Sequence, residues 1–150
     1  FEGLQDARAD ASTTTTIPIA SLTAEEAQEA LLGVWKTVRG YYEVYHDDAT
    51  YGVGYTVGHA MSNPWEFGTY TFDGTIQTYQ TDAAATTCRR LSGEYEVEFS
   101  EDLDKQVRTL VIDPCSDRRV DVLPFITRHS ESWARHRLRP RSMPPLISSV

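Results

Sequence analysis

A chain of 150 residues, 40% of them hydrophobic, is enough for one domain with a core of its own, and it holds no apolar run near the roughly 20 residues of a membrane helix. The net charge is −8 and unevenly placed: residues 1–127 carry 9 Lys/Arg against 21 Asp/Glu, residues 128–150 carry 5 against 1. An acidic body excludes nucleic acid as the expected partner, because phosphate binding needs a basic surface.

The chain opens at Phe1 with neither Met nor a signal-type apolar core, which fits removal of the natural start by processing or trimming. Residues 1–21 include Ala11-Ser12-Thr13-Thr14-Thr15-Thr16 and read as a disordered linker. The domain itself is expected over residues 22–129. Residues 130–150, with Arg135, Arg137, Arg139 and Arg141, read as a basic tail or a last strand, the tail being a solvated segment or a contact for an acidic surface.

Leu22 to Ala30 predict a short helix. Thr23 is placed to cap it while Glu26 reaches back to the Thr23 amide, a capping box, and Gly33 stands where a helix ends in a left-handed conformation. Strands follow by period-two alternation. Residues 34–46 predict one long strand bent at Gly40, with Tyr42, Val44 and His46 on one face and Tyr41, Glu43 and Tyr45 on the other. Residues 51–59 predict a second, bulky on the Tyr51, Val53, Tyr55, Val57 and His59 face. Its other face, Gly52, Gly54, Thr56 and Gly58, is bare enough for a backbone, helix or ligand to approach. Residues 60–65 read as a loop. Residues 66–72 and 75–81 flank Asp73-Gly74, the strongest hairpin signal. Strands over 93–99, with Tyr95, Val97 and Phe99 opposite three glutamates, over 106–112 and over 119–127 bring the count to seven, and 128–138 is the candidate eighth. The fold class is therefore all-β: an up-and-down antiparallel β-barrel of about eight strands with a short N-terminal helix. The rival is a cone-shaped α+β barrel in which residues 23–38 form one longer helix.

The helix, Gly33-Val34-Trp35 and the strands after it resemble the lipocalin-type (calycin) barrel over residues 22–127. The stretch Trp65-Glu66-Phe67-Gly68-Thr69-Tyr70-Thr71-Phe72-Asp73-Gly74, a later Cys, the Gly-Glu-Tyr-Glu-Val strand and Asp113-Pro114-Cys115 resemble small secreted lipocalin-like proteins of bacteria. The resemblance implies that Trp35 plugs the closed end of the barrel and that an arginine near the last strand, Arg119 or Arg128, packs over it. It also implies a carrier of a small apolar molecule.

Cys88 and Cys115 are the only cysteines. In an exported protein, secreted or lodged in the periplasm or envelope, they read as one disulfide, with two buried thiols or a catalytic cysteine as the alternatives. Two cysteines without suitably spaced histidines supply too few ligands for a metal, and no motif calls for a cofactor. Arg89-Arg90 and Arg118-Arg119 flank the cysteines and are expected to pair with Glu94, Glu96, Asp113 and Asp117, or together to hold an anion. Eight tyrosines and three tryptophans supply flat faces with polar tips, suited to an aromatic or apolar ligand. The candidate ligand-binding residues are Trp35, Tyr42, Tyr55, Trp65, Tyr70 and Tyr79. The catalytic candidates are His46 and His59 at strand ends with Glu66 as a carboxylate partner. Two functions follow: binding of a small apolar or aromatic molecule, or a cofactor-free cyclase or isomerase that uses the barrel as a shaped vessel. A third is a partner-binding domain of the envelope docked through its basic tail.

Overall fold

The computed structural model of the protein describes residues 17–129. In chain order they form α1 (Ala24–Leu31), β1 (Gly33–Lys36), β2 (Tyr42–Tyr45), β3 (Thr50–Gly54), α2 (Val57–Ser62), β4 (Glu66–Phe72), β5 (Ile76–Thr81), β6 (Ser92–Phe99), β7 (Lys105–Ile112), α3 (Ser116–Val122) and β8 (Phe125–Arg128). Each strand runs antiparallel to the next, and β8 returns to β1 through Trp35 opposite Arg128 and Lys36 opposite Thr127. The sheet is thus a closed eight-stranded up-and-down barrel, without the edges an open sheet exposes. The cone-shaped α+β alternative is excluded. The candidate eighth strand beyond His129 and the basic tail lie outside the described residues.

In such a barrel alternate connections gather at opposite ends. The closed end holds α1 and the turns β2–β3, β4–β5 and β6–β7. The capping box of α1 is formed as expected: the Glu26 amide donates to Thr23 Oγ1 and the Thr23 amide to Glu26 Oε1. The helix ends on Leu32 in extended conformation, and Gly33, at φ +113°, turns the chain directly into β1. Its buried Ala27, Ala30 and Leu31 meet Trp35, Phe72 and Phe99. Gly74 turns against Ala24 so closely that a Cβ there would come within 2.7 Å of the Ala24 Cα. Trp35, fully buried, donates its indole N–H to the Leu31 carbonyl at 2.8 Å. Between the two candidate arginines the structure chooses Arg128. Its guanidinium lies 4.1 Å over the Trp35 ring and donates to the carbonyls of Ala30, Leu32 and Leu103, so it caps the C-terminal end of α1 as it stacks. Within the expected linker, residues 18–20 pair with the β6–β7 turn: Ala20 donates to the Phe99 carbonyl, and Ile19 bridges Ser100.

Four expectations are corrected. Residues 34–46 are two strands joined by a tight turn at 37–40, because Gly40 adopts φ +89° and reverses the chain instead of bending it. That split supplies the eighth strand. The alternation over 51–59 stops at Gly54, where Thr56 caps α2 by accepting from the His59 amide, and the expected 60–65 loop is helical as far as Ser62. The bare face of β3 is real and is covered by that helix: a Cβ on Gly52 would lie 2.3 Å from the Ala60 carbonyl oxygen, and one on Gly54 2.5 Å from the Ala60 amide nitrogen. Residues 119–127 are half helix. The β-branched Val120 and Val122 favour a strand, yet α3 forms because it turns Arg118 into the barrel, where charged partners hold it.

Candidate functional site

The open end gathers the β1–β2 turn, α2, the β5–β6 loop and α3. The disulfide between Cys88 and Cys115 is formed, and it ties the β5–β6 loop to the start of α3. Beneath α3 the inward faces of the strands carry a polar network. Arg118, 1% exposed, grips Asp113 with two parallel bonds of 2.7 and 3.0 Å and reaches Glu66 at 3.0 Å and Thr81 at 2.7 Å. Tyr51 donates to Glu66 at 2.9 Å and Tyr95 to Asp113 at 2.5 Å. Deeper in, Gln106 and Arg108 of β7 stand opposite the inward Phe99 and Val97 of β6. Arg108 donates to Gln106 and to the hydroxyls of Tyr79 and Tyr45, and Tyr45 passes the interaction on to Glu43 at 2.5 Å. Its guanidinium is surrounded by the rings of Tyr45, Tyr79 and Tyr95 at 5.7–5.9 Å.

Charge inside a barrel persists only when paired, and here it is. Burial opposes ionisation of Arg108 and Arg118, but the tyrosines and carboxylates around them more than compensate and raise both. Burial pushes Tyr45, Tyr51, Tyr79 and Tyr95 up, so their hydroxyls stay neutral donors. Glu66 is pushed up to about 7, chiefly by burial with the Glu43 charge adding to it, against the pull of Arg118. The amide nitrogen of Gln106 and both amide atoms of Gln77 are buried without hydrogen-bond partners.

Outside this plug the mouth opens into a cleft of about 400 Å³. One wall is aromatic: Tyr41 from the β1–β2 turn, Tyr55 from the end of β3 and Trp65 ahead of β4, with ring centres 4.2–5.5 Å apart. The other is polar. Asp117 and Asp121 lie one turn apart on α3, Arg39 reaches in from the β1–β2 turn, and His59 and Thr87 complete the lining. Arg39 Nε stands 3.4 Å from Asp121 Oδ1. Three buried polar atoms on this lining, Asp121 Oδ1, His59 Nδ1 and Thr87 Oγ1, take part in no hydrogen bond. Burial, then repulsion from Glu43 and Asp117, pushes Asp121 up to about 7 against the attraction of Arg39.

Of the candidate residues, the structure brings three together in the cleft: Tyr55, His59 and Trp65. Tyr79 and Glu66 belong to the interior network, and Trp35 is the closed-end plug. Tyr70 lines a groove beside α1 and donates to the His46 carbonyl. His46 itself borders an outer groove between α2 and β4, in the turn at the closed end, so the two histidines belong to different regions. Tyr42 points outward, edge-on to His129. Of the arginine pairs by the cysteines, Arg118 takes Asp113 as expected but couples it to Glu66, and Arg119 donates to the Asp113 carbonyl. Arg39, Tyr41, Arg108 and Asp121 were not legible as site residues, and Arg118 was singled out only beside the cysteines, not as a group inside the barrel. Asp121 sat in an apparent strand, and the alternation of β7 offers Val107, Thr109 and Val111 as an equally good inward face. Among the described residues no group of three or more His, Cys, Asp or Glu is arranged to hold a metal, and no helix is long and apolar enough to cross a membrane. No protein family, curated protein or solved structure matches this chain.

Proposed function

We propose that the protein is an exported, lipocalin-like binder of a small flat apolar or aromatic molecule, which it takes at the mouth of the barrel. The observation that carries this reading is the wall of Tyr41, Tyr55 and Trp65 facing buried polar atoms that take part in no hydrogen bond across a cleft of about 400 Å³. Apolar faces supply affinity and a few polar groups fix orientation, the usual division in small-molecule sites. Tyr55 is 62% exposed, a large apolar face held in water by a strand end that a ligand would cover. The stacking of Arg128 on Trp35 at the closed end supports the lipocalin-like assignment, and the disulfide supports export. The site differs from an axial cavity, because the barrel interior below α3 is given to tyrosines and arginines. Titration of the Trp fluorescence with neutral two-ring aromatics tests it. Saturable quenching lost in Trp65→Leu is expected, and a flat titration across the panel overturns it.

A second reading, a cofactor-free cyclase or isomerase, draws on Asp121, whose carboxyl titrates near neutrality at the edge of the cleft and suits proton transfer. Its signature is a product of unchanged mass and altered retention when the protein is incubated with candidate polyenes or polyketides. Equal conversion by Asp121→Asn removes it.

A further inference from the structure

We infer that the mouth cleft selects an organic cation, an aromatic molecule bearing an ammonium or similar group, with Asp121 as its counter-charge and the ring faces as its platform. This rests on the cleft being the ligand site, and it names the ligand's charge. The chain already places a cation there. The Arg39 guanidinium lies 5.4 Å from the Tyr41 ring centre, and its Nε stands 3.4 Å from Asp121 Oδ1. Cations favour aromatic faces because the ring quadrupole is negative there. The Arg39 side chain is 46% exposed and stands on a tight turn, so it can swing into water. Asp121 has no such freedom: it is 6% exposed, held on α3, and its Oδ1 accepts no hydrogen bond despite the ion pair. A buried acceptor left open in this way is rare in folded proteins and calls for a donor. An ammonium N–H satisfies it and meets its charge, whereas a neutral hydroxyl supplies the hydrogen bond alone, a hydrocarbon leaves it unpaired and a carboxylate meets Asp117 and Asp121 with like charge. Arg39 is the one Lys or Arg on the lining, against two aspartates, in a chain of net charge −8.

The experiment is calorimetric titration at pH 8, where the Asp121 carboxyl is ionised and the amine still protonated, with two probes of nearly equal shape, 2-naphthylmethylammonium and 2-naphthylmethanol. The ammonium is expected to bind about tenfold tighter, the factor that one cation–π contact and its paired charge supply together. Asp121→Asn, close to isosteric, is expected to erase the preference, bringing the ammonium down to the level of the alcohol. Equal affinities, or a preference that survives Asp121→Asn, each overturn the cation assignment while aromatic binding stands. No heat with either probe, from protein with an intact circular dichroism spectrum, overturns the cleft reading and this inference together.

Discussion

The two ends of the barrel are each sealed by a helix and an arginine, but by different physics. At the closed end α1 brings alanines and a leucine onto Trp35, Phe72 and Phe99, and Arg128 spends its donors on neutral carbonyls. At the open end α3 brings Arg118 onto two carboxylates, and a disulfide fastens the helix in place. The first arrangement is expected to respond little to protonation. The second places Glu66, raised to about 7, under the site. Apolar packing is thus concentrated at the closed end, and paired charge at the mouth.

The largest expected effect sharpens this contrast at the closed end. Trp35→Ala removes a fully buried indole and its stacking partner, and is expected to cost about 4 kcal/mol in urea unfolding, with little change between pH 5 and 8. Arg118→Met leaves Asp113 and Glu66 buried without their cation. A loss of about 3 to 4 kcal/mol is expected, partly recovered at low pH or by adding Glu66→Gln. Should Arg118→Met prove as insensitive to pH as Trp35→Ala, the contrast between the two ends fails. Replacing Cys88 and Cys115 by serine opens a loop with sequence separation 27. The chain-entropy relation puts the cost at about 3.5 kcal/mol. Hydrogen exchange should then quicken in α3 and the β5–β6 loop while α1 stays protected.

The pH dependence comes next. Glu66 titrates near 7 in the folded chain, against about 4.3 in an unfolded one. Between those values the folded state holds a proton that the unfolded state has lost, so stability falls as pH rises from about 4 through 7. The Glu66 share of that fall is about 3 to 4 kcal/mol, and Glu66→Gln should remove that share in denaturant midpoints measured across the range, leaving the part due to Asp121, which burial also raises to about 7. The smallest effect is Thr23→Ala, which removes half of the capping box and is expected to cost about 1 kcal/mol at any pH in this range. A strong pH dependence of that loss would again blur the two ends.

Legibility follows the same division. The closed end was largely readable, because Thr23, Glu26, Trp35 and the Asp73-Gly74 turn act through neighbours close in sequence. Only the choice between Arg119 and Arg128 had to wait. The mouth was largely unreadable. Tyr41, Tyr55 and Trp65 come from three connections, and Asp121 from a helix that alternation disguised as a strand. Tyr55 and His59 were singled out as members of one strand face, yet they meet because the strand stops and a helix folds back over Gly52 and Gly54.

By itself the sequence determined the all-β class, the N-terminal helix with its cap, the central hairpin and the cysteine pair. Each of these rests on local backbone preference, on the two-residue period of a strand, or on the count of a scarce residue. Tertiary structure alone decided which face of β7 turns inward, which arginine covers Trp35, and that Arg118 enters the barrel. It also decided that Tyr41, Tyr55 and Trp65 form one wall at the mouth. Those outcomes depend on pairing charges and filling volume across the closed sheet, and such pairings join residues far apart in the chain.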